Sequence, residues 1–509
     1  AIGRRADWRP SVVVRNRAPR ARSGVAEMEI LTFIRDVPVG PDSAWAQPPE
    51  SPDEPALVDG GRVPYQVLEQ SRRNDRLEPR RHYPDNDLVR AQRVVAWVPE
   101  IPGYGTVAFP LTTGAVAAHE AAAPQGQVRT GVSEDGSTWM ENRFLRVTHD
   151  STGAILLSVL DGSVELHRFI EIEDVGDAGD TYTPSLIAPV IRSATANRAR
   201  VVHHGPLRGE MEAEFLLAIP EQTSRNGRAA ATVNMAVRLA LVIDAEARFL
   251  RVRVTCENVA RDHRLRLVFG TGVGRGDVYA DAAFGPVVRR ALRHSPDVTE
   301  LEQALPTAPL HRYVTCCDDH SGLTVFANGA TEYEMLSDGR IAITLFRAVG
   351  ELSRADLPER PGHAGWPSPT PDAQCLGPIE SEMACLPHGP RTDEVVGAIE
   401  RTADDVLFPL IAETFRALMA PPGTTDGIVL DGAGLAFGAC KRSEDGDWMV
   451  LRCVNLLGSE VHGSWRLRLS VREARLARLD ESPGAVLAVD HGRVAFVASP
   501  RAVVTVLVR

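Results

Sequence analysis

Between Ala247 and Val259 the chain reads ARFLRVRVTCENV, with Leu250, Val252, Val254 and Cys256 alternating against Arg251, Arg253, Thr255 and Glu257. Successive side chains on a strand point to opposite faces, so this period of two places an apolar face on a core and a polar face on water. That is the pattern of a half-buried antiparallel strand. Similar runs follow at 263–270 (HRLRLVFG), 322–329 (GLTVFANG) and 339–350 (GRIAITLFRAVG). Turn clusters such as HDSTG (149–153) and LSDG (336–339) separate strands at hairpin spacing. The expectation is all-β, with a large antiparallel sandwich at its centre.

A single core stops growing near about 250–300 residues, so 509 residues imply several domains. Apolar residues at 44% and charged residues at 24% are those of an ordinary globular chain, and 42 glycines with 36 prolines favour many turns. SVVV (11–14) and VAEMEILTFIRDV (25–37) read as a hairpin across the turn-rich RNRAPRARSG. Pro38, Pro41, Pro48, Pro49, Pro52 and Pro55 then mark a surface excursion, and strand character resumes over 94–111. The small-residue stretch 113–127 suits a linker. Residues 392–420 carry the best helical periodicity, against which Pro409 argues. Near the end, Trp465, Leu467, Leu469 and Val471 alternate with Arg466, Arg468, Ser470 and Arg472. Three domains are expected: 1–118, an N-terminal β-sandwich with linker; 119–390, a large β supersandwich; 391–509, a C-terminal β-sandwich.

The net charge of −11 argues against nucleic acid, because the arginines alternate along strands instead of forming a one-sided basic stripe. Lys441 is the only lysine among 56 basic residues. Seven scattered cysteines form no CxxC pair, which points to a reducing, cytoplasmic setting. No apolar run reaches the ~18 residues of a membrane span, so no membrane partner is expected. Opening on alanine almost directly at a strand, the chain reads as the downstream part of a longer protein.

Chemistry concentrates in EIEDVGDAGDTY, where Glu171, Glu173, Asp174, Asp177 and Asp180 precede Tyr182. Carboxylates beside a tyrosine at a strand end suit sugar hydroxyls or a hard cation, while a solvated acidic loop is the plainer alternative. Nothing in the spacing selects an acid and base pair for glycoside hydrolysis. His203 with His204, and Asp318, Asp319 and His320, are the places where metal-type ligands gather. Neighbouring strand residues diverge, however, and the DDH stretch reads as a polar turn. Cys316 and Cys317 read as buried and inert. GTGVGRGD (270–277) reads as a turn in a β context, and GxSxG, the P-loop pattern and HExxH are missing.

Four stretches resemble the downstream half of glycoside hydrolase family 38, the zinc-dependent retaining α-mannosidases. They are FIEIEDVGDAGDTYTPS (169–185), RVRVTCENVARDHRLRLVFGTG (251–272), the segment 339–377 with TLFRAVG, LSR, RP, AG, PTP and AQC in order, and LAFGACKRSEDGDWMVLRCVNLLG (435–458). EYE (332–334) and LPHG (386–389) flank the third. The resemblance implies a galactose-mutarotase-like supersandwich flanked by smaller immunoglobulin-like β-sandwiches. It also implies that the zinc, the nucleophile and the general acid belong to an upstream catalytic segment whose histidine, aspartate and tryptophan motif this sequence lacks. No catalytic residue and no metal are therefore expected here, and the chain alone should be inactive. By the same resemblance Tyr182 and Arg347 lie near the sugar, with Asp177 and Asp180 beside them in the substrate-binding loop. The implied partners are an α-mannoside and the upstream segment, and a homo-oligomer is compatible with all of this. Two other readings remain: a stand-alone carbohydrate-binding or scaffold module, and a mutarotase-type enzyme built on His203, His204 or His320.

Overall fold

A computed structural model describes residues 10–37, 55–58, 62–77, 85–113, 123–274, 276–289, 302–415, 425 and 427–509. The proline excursion, apart from Pro55, and most of the expected linker lie outside the described residues. The described chain is all-β apart from the helix Asp393–Leu407 and a 3-10 turn at Pro371–Gln374.

At the centre a six-stranded and a nine-stranded antiparallel sheet enclose one apolar core. The strand Leu250–Asn258 lies mid-sheet and buries Leu250, Val252 and Val254 while Arg251, Arg253 and Thr255 face away, as the alternation requires. Fully burying one such aliphatic side chain stabilises the fold by roughly 1.5–3 kcal/mol, which is why register follows the pattern. In the six-stranded sheet Ile170–Asp177 pairs with His263–Phe269, and that strand pairs with Ile341–Ala348. The GTGVG stretch connects the strand ending at Phe269 to the next, beginning at Asp277.

The first two strands do not form the expected hairpin. Ser11–Arg15 sits between Thr106–Thr113 and Ile411–Phe415, whereas Arg22–Asp36 pairs with Asp85–Ile101 in a second sheet. Asn16 redirects the chain: its buried side chain donates to Ile101 O at 3.1 Å and Pro102 O at 3.0 Å and accepts from Ala18 N at 3.0 Å. A turn that satisfies partners 85 residues away is tertiary, and local propensity carries no trace of it. Gln66 docks this unit on the central sandwich, its Oε1 accepting from Leu207 N at 2.9 Å and Arg208 N at 2.8 Å.

The helix starts at Thr392, whose hydroxyl accepts from Val395 N at 3.3 Å, with Asp393 and Glu394 in the first turn. Val396, Ile399, Ala403 and Val406 form its buried face, and Ile399, Ala403 and Val406 pack on Tyr313 and Phe326 of the nine-stranded sheet and on Phe249 just before one of its strands. It ends at Leu407 instead of reaching 420, because Phe408 precedes Pro409 and leaves helical geometry. The chain then returns to the first sheet as Ile411–Phe415 before the last sandwich, so a boundary at 391 separates strands that are paired. In that last sandwich Trp465 and Leu467 are buried as expected, but the strand stops there and Leu469 is 57% exposed.

Candidate functional site

Ile170–Asp177 is a central strand, so its charged residues are buried and must be paired. Glu173 is 1% exposed and accepts from Arg266 Nε at 2.8 Å and Arg192 Nε at 2.9 Å. Burial opposes its ionisation, yet the two guanidiniums hold the carboxyl below the usual range. Asp174 bonds His263 Nδ1 at 2.6 Å and also takes the Arg228 guanidinium. The acidic run is therefore not a solvated loop. Alternation fails as a guide here because both faces of the strand are covered.

Beyond the strand end the loop 177–185 is held by two carboxylates. Asp177 Oδ1 accepts from Gly179 N at 2.9 Å and Ser185 N at 3.0 Å, and its Oδ2 accepts from Arg347 Nε at 2.8 Å. Asp180 Oδ1 accepts from Tyr182 N at 3.0 Å and Thr183 N at 2.8 Å, and its Oδ2 from Arg354 N at 2.7 Å and Arg360 Nη2 at 2.5 Å. Gly179 is needed because a Cβ there would collide with the Thr183 carbonyl. Both aspartates are 0% exposed. The residues expected at the sugar thus divide: Asp177 and Asp180 hold the loop from below, and their oxygens do not reach its surface.

Tyr182 is what that scaffold presents. It is 53% exposed, and its hydroxyl makes no hydrogen bond among the described residues. Gly365 lies against it, where a Cβ would fall 2.9 Å from the hydroxyl oxygen. The neighbouring segment is fixed by Ser353 Oγ, which accepts from Ala364 N at 2.9 Å and Gly365 N at 3.1 Å, and it carries Trp366, 83% exposed. Arg347 is intermediate. Its side chain is 16% exposed, Nη2 donates to Asp180 O at 3.0 Å, and Nη1 makes no hydrogen bond among the described residues. Opposite it in register stands Arg264, 1% exposed, whose Nε and Nη1 lack partners among the described residues. Burial and the neighbouring Arg266 push Arg264 below the usual arginine range. Arg264 was legible only as one more strand arginine, since alternation cannot say which polar face is covered.

The other candidates stay apart. His203 lies 3.8 Å from Glu210 Oε2, while His204 Nδ1 meets Thr130 Oγ1 at 3.1 Å. Asp318 Oδ1 accepts from His320 N at 2.8 Å and Ser321 N at 2.9 Å, which makes DDH a turn. Burial pushes the Cys316 and Cys317 thiols up to about 11. Among the described residues no three His, Cys, Asp or Glu side chains are arranged to hold a metal ion, so they offer no donor set for the zinc the resemblance implies. Among them, too, no helix is long and apolar enough to cross a membrane.

Residues 140–359, which contain this loop and Arg347, match the family model described as the glycosyl hydrolases family 38 C-terminal domain. Residues 434–506 match the model of the family 38 C-terminal beta sandwich domain, and the two together cover more than half of the chain. The chain belongs to glycoside hydrolase family 38, as its C-terminal half. It is 29% identical over 349 residues to a protein of Halalkalibacterium halodurans provisionally named mannosylglycerate hydrolase. That match covers 64% of this chain and 36% of the relative. Two solved structures from Enterococcus faecalis share the fold: an alpha-mannosidase and a protein in glycosyl hydrolase family 38. Both superpose with a TM-score of 0.78, at 18% and 19% identity, over 98% of this chain and 56% and 58% of theirs. This family 38 chain thus spans about a third of the curated relative and little more than half of the two solved chains.

Proposed function

We propose that this family 38 chain is the C-terminal region of an α-mannosidase-type glycosidase that hydrolyses α-mannosides. In this reading the acid, the nucleophile and the zinc come from a segment outside the sequence, and the loop 177–185 faces that segment. One observation carries it: the Tyr182 hydroxyl stands exposed and unbonded on a loop whose two buried aspartates leave it little freedom. A donor fixed before the sugar arrives adds stabilisation without an ordering cost. The named activity of the Enterococcus faecalis alpha-mannosidase and the match of the loop itself to the family model support the same reading. Arg347 serves it from beneath, holding the loop through Asp177 Oδ2 and the Asp180 carbonyl. Seven cysteines without a disulfide support a reducing, cytoplasmic setting.

Trp366, exposed next to Tyr182, favours a second reading: an aromatic platform on which a stand-alone module stacks a sugar. One experiment separates the two. Calorimetry of this chain with methyl α-mannoside and mannobiose is set beside turnover of an aryl α-mannoside by the protein carrying the upstream segment. Turnover that falls in Tyr182→Phe, with no binding by the chain alone, supports the glycosidase. Sugar binding by the chain alone, abolished in Trp366→Ala and with no turnover by the longer protein, would replace that reading with the module.

A further inference from the structure

Away from the Tyr182 edge, three parts of the chain meet around a cavity of about 430 Å³. Ser23–Val25 of the first unit form one wall, residues 244–251 of the central sandwich a second, and the helix a third. Small-molecule sites span roughly 300–1,000 Å³, so the space exceeds what a lone ion needs.

Its charges do not balance locally. Most of the lining carboxylates are already held: Asp244 by Arg208 at 2.7 Å, Glu246 by Arg143 at 3.2 Å, and Asp405 by Arg20 at 2.7 Å and Arg22 at 2.9 Å. Glu394 is the lining acid with no ion pair among the described residues. Against it stand Arg248, Arg251 and Arg401, which line the cavity and likewise make no ion pair among the described residues. Arg251 spends one nitrogen on the Asp405 carbonyl at 2.8 Å. The Arg248 guanidinium carbon lies over the Phe144 ring, 4.0 Å from its centroid, and its N–H groups make no hydrogen bond among the described residues. Burial lowers the pKa of Arg251, so an anion beside it would relieve a charge the fold has already desolvated. The guanidinium fork matches carboxylate and phosphate oxygens alike, and three such cations around one space suit the greater charge and oxygen count of a phosphate dianion.

We propose that this cavity binds a phosphate group carried on a small organic molecule, with Arg248, Arg251 and Arg401 as its ligands. The phosphate lies among the three guanidiniums and the rest of the molecule fills the remaining volume, for which mannose 6-phosphate is the probe. Because the walls come from three parts of the chain, the occupant ties them together and raises the stability of the whole. The site is independent of the glycosidase reading and stands or falls without it.

Thermal unfolding and titration calorimetry of the 509-residue chain test it with mannose 6-phosphate, inorganic phosphate and mannose, all at matched ionic strength in chloride. The expected result is a saturable rise in melting temperature with mannose 6-phosphate, weakened at least tenfold in Arg248→Met/Arg401→Met. Both side chains are exposed, so that variant keeps its fold, which circular dichroism verifies. Arg251→Lys keeps the charge but loses the fork and should bind more weakly than wild type. Inorganic phosphate binding equally well supports the site and names the free ion as occupant. No saturable effect, equal binding of mannose, or unchanged affinity in the double variant overturns the proposal.

Discussion

Asp177 Oδ2 accepts a hydrogen bond from Arg347 Nε at 2.8 Å, and this contact ties the ends of two strands of one sheet that are not neighbours in it. Between them runs His263–Phe269, so the pair spans a strand and anchors the loop that follows Asp177. A loop so fixed can present one side chain in a defined place.

Arg347→Met should therefore destabilise the protein and loosen the loop that presents Tyr182. It strands Asp177, a carboxylate at 0% exposure. Breaking a buried pair costs on the order of 3–5 kcal/mol, and the partial exposure of Arg347 reduces this to roughly 2–4 kcal/mol. Denaturant unfolding reads the change. A loss below about 0.5 kcal/mol, the ordinary range for surface substitutions, would mean that the pair does not hold the loop.

Tyr182→Phe should have the opposite profile. The hydroxyl bonds nothing among the described residues, so stability should stay within about 0.5 kcal/mol of wild type. If the proposed function holds, kcat/KM of the longer protein for an aryl α-mannoside should fall roughly ten- to hundred-fold, the loss expected for one hydrogen bond that strengthens in the transition state. Normal activity per folded molecule with a melting point several degrees lower would make Tyr182 a packing residue.

Asp404, on the helix, has a pKa pushed up to about 6 by burial, with Arg20 acting against the shift. A carboxyl whose folded pKa is raised stabilises the fold when protonated. Its contribution is complete below its unfolded value near 4 and is lost as pH rises through about 6. Wild type should thus lose stability relative to Asp404→Asn between pH 4 and pH 7, by about 1–3 kcal/mol. Urea unfolding of both proteins at pH 4.5 and 7.5 measures it; a pH-independent difference would rule the effect out.

The chain by itself should bind no stoichiometric zinc and hydrolyse no aryl α-mannoside. Tight zinc sites need three or four ligands at about 2.0–2.3 Å, and glycoside hydrolysis needs a positioned acid with a nucleophile or base. Metal analysis after dialysis and a turnover assay are direct. One zinc per chain, lost on changing His203 or His320, or turnover abolished by a point mutation within the chain, would contradict the assignment.

From sequence alone the strands of the central sandwich are legible, because Leu250, Val252 and Val254 bury one face and a slip of one residue would expose all three. The loop around Tyr182 was also legible as a candidate site, through the resemblance of the loop and the TLFR strand to the family. Three things were not. Ser11–Arg15 and Arg22–Asp36 look like a hairpin but belong to different sheets, because Asn16 is satisfied by Ile101 and Pro102, far along the chain. Glu173, Asp174, Asp177 and Asp180 look like a solvated acidic run but are buried, because both faces of the strand that ends at Asp177 are covered and an arginine from another segment pairs with each of the four. Arg401 of the helix is far in sequence from Arg248 and Arg251, yet all three line one cavity. Periodicity reports which face of an element is apolar, a local property. What covers the other face, and which charge meets which, depends on segments brought together by folding, and only the tertiary structure decides it.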